Sequence, residues 1–398
     1  MDFTFGEKEE RLRAEIREFV KESFLPGHIG YMFEEEHADE TWEFAMSISK
    51  KLAQKGWLTM SWPKEHGGMG ASVTERVVYG EEAGYWGIPG VGMGVSGTAW
   101  VGPSLMIFGT EEQRKKYLPP IAAGEPDGVW CTGYSEPDAG SDFANLQTRA
   151  DKKGDEYVVN GQKVWTSAGH RARWCWLACR TDPTATRKHH GISILIVDMQ
   201  SPGVTVRPLK NYVGFHFFNE IFFNDVKVPV SNLVGEENKG WYHLMQALAF
   251  ERGVAVGTSG TSQRLLEELV NHANETGTIK DPVVRRTLAD LVVDIRSLRI
   301  LAYEAAWKMS KGMTVIYEPA RDKANNDLLL EKLSRVATGM LGAYSQIDPL
   351  HKDPRWIRLK GVMEHIYWMC PGMCIAAGTT DTVRNIVGQF GLNLPRSY

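Results

Sequence analysis

Residues 156–168 read EYVVNGQKVWTSA, two β-rich runs around Asn160-Gly161. Valine, tyrosine and tryptophan suit a pleated backbone, and Asn-Gly is the strongest short-range signal for a two-residue hairpin turn. The stretch predicts a hairpin and marks a change of texture in the chain. Further strands are expected at Trp174–Cys179, Ile192–Val197 and Val204–Arg207, and Phe215–Val228 alternates aromatic and polar residues before Pro229. No helical crossover separates them, so this segment reads as a β-barrel or sandwich.

Outward from it, the period becomes helical on both sides. Leu12, Ile16, Phe19 and Val20 recur at helical spacing before Pro26, and Glu111–Leu118 forms a charged helix that Pro119 and Pro120 should close. After Lys239, long helices are predicted through Leu244–His272, Val283–Met309, Leu328–Tyr344, Arg355–Met369 and Thr380–Phe390. The expected fold class is α+β multidomain. It has an all-α N-terminal domain (1–125), a β-barrel middle domain (126–233) and an α-helical bundle C-terminal domain (234–398).

Of 398 residues, 43% are apolar and 24% charged, an ordinary globular balance, and the net charge of −4 argues against nucleic acid as a partner. Five cysteines in so long a chain read as reduced thiols of a cytoplasmic protein. Cys175 and Cys179 would share a strand face, while Cys370 and Cys374 lie on a helical stretch interrupted by Pro371. Neither spacing is that of a zinc finger, and no metal is expected. The opening MDFTFGEKEERLRAEIREF carries acids where a secretory signal has a basic region. No run of 18 apolar residues predicts a membrane span.

Two motifs invite chemistry. Gly92-Met-Gly94-Val-Ser-Gly97 has the spacing of a dinucleotide loop, but neither a good strand nor a βαβ order surrounds it. It reads as a glycine-rich helical stretch where something packs closely. Ser135-Glu-Pro-Asp-Ala-Gly-Ser-Asp142 follows the strand VWCTGY. A strand ending in such a turn turns backbone donors and hydroxyls outward, which suits an anionic group or a polar ring edge.

That turn, followed by Gly161-Gln-Lys-Val-Trp165-Thr-Ser167, resembles the signature of the acyl-CoA dehydrogenases. FNEIFFNDVKVPVSNLVGEENKGW (218–241), FER (250–252) and GTTDTVRNIVGQFGLNLPR (378–396) extend the resemblance, in family order, over nearly the whole chain. It implies helical, β-barrel and helical domains, with FAD between the last two and usually a tetramer. Tyr134, Ser135, Trp165 and Ser167 would face the pyrimidine side of the flavin. Gly140 and Ser141 fall in the matching turn, Ser141 also near the pantetheine, and Thr379 near the ADP half of FAD. Gly94 and Thr98 would line the acyl cavity, with Gly97 beside them, and Arg252 would lie near the CoA.

The implied reaction is α,β-dehydrogenation of an acyl-CoA to the enoyl-CoA. A glutamate takes the α-proton, flavin N5 takes the β-hydride, and electrons pass to electron-transfer flavoprotein. Many relatives carry that glutamate in a Y-E-G-T run, but here the run is Ala376-Ala377-Gly378-Thr379. Glu251-Arg252 matches the minority that carry the base on a C-domain helix, so the resemblance implies Glu251 as the base. His170, Glu81 and Glu82 are polar candidates without such positional support.

An R-x-x-F-G element and a Q-x-x-G-G-x-G loop of the family, which serve FAD across a subunit interface, have no counterpart; Arg285 or Arg286 could replace the phosphate contact. The assembly would be a homotetramer or an α2β2 heterotetramer. The alternatives are a non-catalytic partner subunit, or a related flavoenzyme performing 1,4-dehydrogenation of a cyclic acyl-CoA.

Overall fold

A computed structural model describes residues 4–24, 39–88, 96–211, 214, 216–250, 255–347 and 359–395. The chain forms two compact units. One comprises Met1–Tyr31, Ser72–Ile88 and Arg252–Tyr398; the other comprises Met32–Ala71 and Pro89–Glu251.

In the first unit, α1 (Glu7–Ser23) and α3 (Val73–Trp86) pack with the C-terminal helices. These are α7 (Ala255–Thr276), α8 (Pro282–Ser310), α9 (Glu318–Leu341), α10 (Val362–Ile375) and the short α11 (Thr380–Ile386). Leu265, Leu269, Leu291, Ile295, Leu333 and Met363 form the centre of their core. Ser72 caps α3 with a reciprocal bond to Glu75, satisfying donors that the first turn would leave open.

α3 and α7 meet backbone to backbone. A Cβ on Gly84 would overlap the Gly257 carbonyl, and one on Gly260 would overlap that of Glu81. Charges also brace the same helix. Arg13 and Arg17 of α1 each donate to Glu82 at 2.8 Å, and Glu81 takes Arg299 and the Tyr303 hydroxyl of α8. Both acids are buried. Burial alone would raise the pKa of Glu82, but Arg17, Arg13 and the Trp86 indole outweigh it and hold the carboxyl below its ordinary range. Glu81 and Glu82 are therefore ion-paired supports of the helix packing.

The second unit holds α2 (Asp39–Gln54), a π-helical turn (Ser96–Val101), α4 (Gly102–Phe108), α5 (Glu111–Ala122) and α6 (Gly240–Phe250). They accompany one curled seven-stranded sheet. Its strands are β1 (Trp130–Gly133), β2 (Arg149–Lys153), β3 (Glu156–Ser167), β4 (Trp174–Arg180), β5 (Ile192–Asp198), β6 (Val204–Lys210) and β7 (His216–Pro229). The order is β1-β4-β2-β3-β7-β6, with β5 also on β4. β4 is apolar on both faces. Trp176 and Ala178 join a core with Trp62, Leu105 and Tyr117, while Cys175, Leu177 and Cys179 join Tyr157 and Val159 on the other side.

Three sequence expectations are corrected. Asn160-Gly161 is not a turn, because β3 runs straight through it and pairs with β7 on both sides. The hairpin turn is Gly154-Asp155, between Lys153 and Glu156 of β2 and β3, with Gly154 at φ 62°. Asn160 instead faces a bulge in β7. Its side-chain oxygen accepts from the Asp225 amide at 2.9 Å, and Asp225 takes the left-handed backbone at φ 50°.

Secondly, α5 continues through Pro119 and Pro120 to Ala122. The prolines only forgo their own donors, and their carbonyls accept from Ala123 and Glu125. Thirdly, α10 likewise contains Pro371 and runs to Ile375, so it does not break between Cys370 and Cys374. Pro26 and residues 251–254, inside the predicted Leu244–His272 helix, lie outside the described residues.

The glycine contacts predict opposite signs for two substitutions. Gly84→Ala should lower stability by roughly 1–3 kcal/mol, the cost of overpacking against rigid backbone. Gly339→Ala, on an open face of α9, should raise it by up to about 1 kcal/mol. Thermal unfolding of both variants checks the pair.

Glu82 gives a pH prediction. Its folded pKa is lowered, so its contribution is complete above the unfolded carboxylate value of about 4.3 and is lost as pH falls through the folded value. Glu82→Gln should flatten the acid limb of a stability-against-pH curve and leave its slope above about pH 5 unchanged.

Candidate active site

The site in the sheet unit begins at Lys163. Tyr157, Val159 and Lys163 all take the inward positions of β3, so the alternation carries an ammonium group into the core, where it is 0% exposed. A buried charge is costly unless paired and hydrogen-bonded. Glu136, itself buried, supplies the partner at 2.8 Å, and the Tyr134 carbonyl accepts a second bond at 3.0 Å. Glu136 also accepts from the Gln147 and Thr148 amides, at 2.5 and 2.8 Å. Burial opposes its charge, yet Lys163 and these donors hold its pKa below the ordinary range. Burial pulls the Lys163 pKa down.

These bonds fasten the Ser135–Asp142 turn across β3. The Ser135 carbonyl accepts from the Val164 amide at 2.9 Å. Ala139 is buried, while Gly140, Ser141 and Asp142 stay exposed, and a Cβ on Gly140 would meet nothing within 4 Å. The Tyr134 ring stands edge-on to Phe143 at 5.9 Å, and Phe143 stacks on Trp241 at 5.9 Å.

Beyond Lys163 a second bulge changes the face. Lys163 pairs with Ile221 and Thr166 with Asn219, so Val164 and Trp165 together oppose Glu220 alone. Simple alternation would put Trp165 on the buried side with Lys163. The bulge holds Trp165 at φ 60° and turns its indole out, 58% exposed, beside Phe218. Ser167 follows, half-buried, before Ala168 at φ 52°. Bulges are common beside functional sites because they re-aim a side chain in this way.

The structure thus gathers Tyr134, Ser135, Gly140, Ser141, Trp165 and Ser167 in the turn and strand end joined by the Lys163–Glu136 pair. Thr98 lies apart from these bonds in the π-helical turn, where its carbonyl accepts from the Trp62 indole at 2.9 Å. Beside it Gly97 packs closely, since a Cβ there would lie 3.1 Å from the Gly128 carbonyl. Gly92, Gly94, Glu251 and Arg252 lie outside the described residues.

In the helical unit, Thr379 caps α11, accepting from the Thr382 amide at 3.1 Å. Just before it Ala377 is exposed and left-handed at φ 54°. Arg285 and Arg286 are exposed on α8. Among the described residues no group of three His, Cys, Asp or Glu could hold a metal, and no helix is long and apolar enough to cross a membrane.

Sequence reading missed Lys163, Glu136 and Asn219. A lysine at an inward strand position was the available signal for the first pair. Asn219 gave none, since polar residues also fill the outward positions of β7.

Planar indole surface, adjacent hydroxyls and an uncrowded glycine turn are chemically suited to a flat heteroaromatic ring with polar edges. Residues 6–125, 131–226 and 238–392 match the N-terminal, middle and C-terminal domains of acyl-CoA dehydrogenases. The chain is 33% identical to acyl-CoA dehydrogenase IpdE1 of Mycobacterium tuberculosis, over 97% of this chain and 98% of the relative. It is 31% identical to acyl-CoA dehydrogenase FadE26 of the same organism, over 100% of both.

Among solved structures, the Tcur3481-Tcur3483 steroid ACAD superposes with a TM-score of 0.88 at 33% identity, covering 100% of both chains. The ChsE4-ChsE5 complex of Mycobacterium tuberculosis superposes at 0.86 and 32% identity, again over 100% of both. The chain belongs to the acyl-CoA dehydrogenase family, oxidoreductases that depend on FAD.

Breaking the buried pair on one side should be severe. Lys163→Met strands the Glu136 carboxylate and should cost about 3–5 kcal/mol. Lys163→Met combined with Glu136→Gln should cost less than the sum of the singles, measured by denaturant unfolding of the three variants.

Proposed function

We propose that this chain is the base-bearing subunit of an acyl-CoA dehydrogenase that oxidises a bulky, steroid-sized acyl-CoA at its α and β carbons. The observation that carries this reading is the chemistry of two positions in a chain of this family. Ala377, where many relatives carry the base, has no group that can take a proton, and Glu251-Arg252 stands directly after Phe250 of α6.

In this reading FAD, when bound, supplies the two-electron acceptor. Trp165 offers its indole to the ring, Tyr134, Ser135 and Ser167 flank the polar edge, and Gly140 leaves room for close approach. Ser141 serves both the cofactor and the pantetheine, and Thr379 serves the adenosine side. Arg252 receives the CoA, with Gly94 and Thr98 on the acyl wall. Glu251 takes the α-proton of the thioester, a weak acid that a carboxylate reaches only when desolvation brings the two pKa values together.

The steroid assignment leans on the solved steroid ACAD named above and on the small residue at Ala377. The same comparisons include a two-chain complex, and this sequence lacks the R-x-x-F-G and Q-x-x-G-G-x-G elements. We therefore assign it a second, homologous chain as partner, with electron-transfer flavoprotein as the acceptor.

Anaerobic mixing with a panel of straight-chain and polycyclic acyl-CoAs tests the reading through bleaching of the flavin band. The wild-type complex should bleach fastest with the polycyclic substrate. Glu251→Gln, with FAD retained, should bleach about 10²–10⁴-fold more slowly. Undiminished bleaching by that variant would reject Glu251 as the base. Full flavin content and turnover in the chain expressed alone would reject the second chain.

A further inference from the structure

A cleft of about 480 Å³ is lined by His170, Arg173, Val206, His216 and Asn219 among others. At its base Asn219 is 0% exposed, directly opposite Thr166 in the β3–β7 ladder and one step past the bulge. Its side-chain amide makes three bonds. The nitrogen donates to the Thr166 carbonyl at 3.1 Å and faces His170 Nδ1 at 3.2 Å, while the oxygen faces His216 Nε2 at 2.8 Å. The two imidazoles stack 4.0 Å apart.

The donor rules fix this arrangement. The Asn219 oxygen can only accept, so His216 Nε2 carries a proton. The Asn219 nitrogen can only donate, so His170 Nδ1 is the unprotonated nitrogen of that ring. The amide is therefore held in one orientation from both ends, with its remaining N–H on the Thr166 carbonyl. That carbonyl lies between the two residues whose side chains the bulge presents, Trp165 and Ser167. A bulge leaves the local ladder disrupted, and a left-handed tryptophan backbone persists only where its surroundings over-determine it.

We propose that Asn219, held by His170 and His216, is a positioning residue for the cofactor: it locks the bulged strand end so that Trp165 and Ser167 face the flavin. The inference rests on the assignment of Trp165 and Ser167 to the flavin, made above. It adds a residue that does not itself touch the cofactor and acts through the Thr166 carbonyl.

The test is FAD affinity of the apo-protein by titration, with the visible circular dichroism of the bound flavin, for Asn219→Asp, Asn219→Ala, His170→Ala and Trp165→Phe. Asp is isosteric with Asn but places an acceptor against the Thr166 carbonyl, so it separates the donor from mere volume. Asn219→Asp and Asn219→Ala should both bind FAD about ten-fold more weakly, the scale of one buried hydrogen bond, with an altered flavin dichroic band. His170→Ala, at a half-buried position that should fold even if the Asn219 variants do not, should show a smaller shift of the same band.

Wild-type affinity and dichroism in Asn219→Asp, or in His170→Ala, would overturn the proposal. Trp165→Phe separates the two readings. If it leaves the flavin band unchanged, the flavin does not lie against Trp165 and the underlying assignment fails. If it moves the band while the Asn219 and His170 variants do not, only the positioning role fails.

Discussion

Burying the Lys163 ammonium in the sheet unit obliges the fold to bring a carboxylate to it. Glu136 answers that demand, and because Glu136 also collects the Gln147 and Thr148 amides, the turn it opens has little freedom left. The cost of an unpaired buried charge is thereby converted into position. The turn that carries Ser135, Gly140 and Ser141 is tied across β3 to the strand end that carries Trp165 and Ser167. A hydrophobic pair would fill the same space with comparable stability, but it would not dictate which carbonyl and which amides meet.

The second constraint is parity. A strand has only two faces, and the residue count between Lys163 and Trp165 puts both on the same one. One extra residue in β3 resolves the conflict by letting Lys163 stay in and Trp165 come out. A matching irregularity in β7, opposite Asn160, shifts that strand's buried set from Val226 and Val228 to Asn219, Ile221 and Phe223. The two bulges thus let a continuous ladder serve a core at one end and present an exposed indole at the other.

Much of this was legible in the sequence. The order of helical, β and helical segments followed from periodicity, and the turn and strand motifs led to the family. The corrected expectations were local signals that the surrounding structure overrides. Asn-Gly favours a turn, yet twelve residues of β3 had a partner in β7 to pair with, and Asn160 found its hydrogen bonds across the ladder. Pro119, Pro120 and Pro371 suggest stops, but each removes only its own donor, and α5 and α10 run on past them to Ala122 and Ile375. Asn219 was illegible because its role depends on a bulge, and a bulge is a property of two strands together.

The central claim is that the bulged end of β3 and the turn locked to it by Lys163 and Glu136 form the flavin platform. A crystal structure of the FAD-loaded protein measures this directly. The account predicts the isoalloxazine ring against the Trp165 indole, with its polar edge toward Ser135 and Ser167. A ring placed elsewhere, with Trp165 still exposed to solvent, would contradict it.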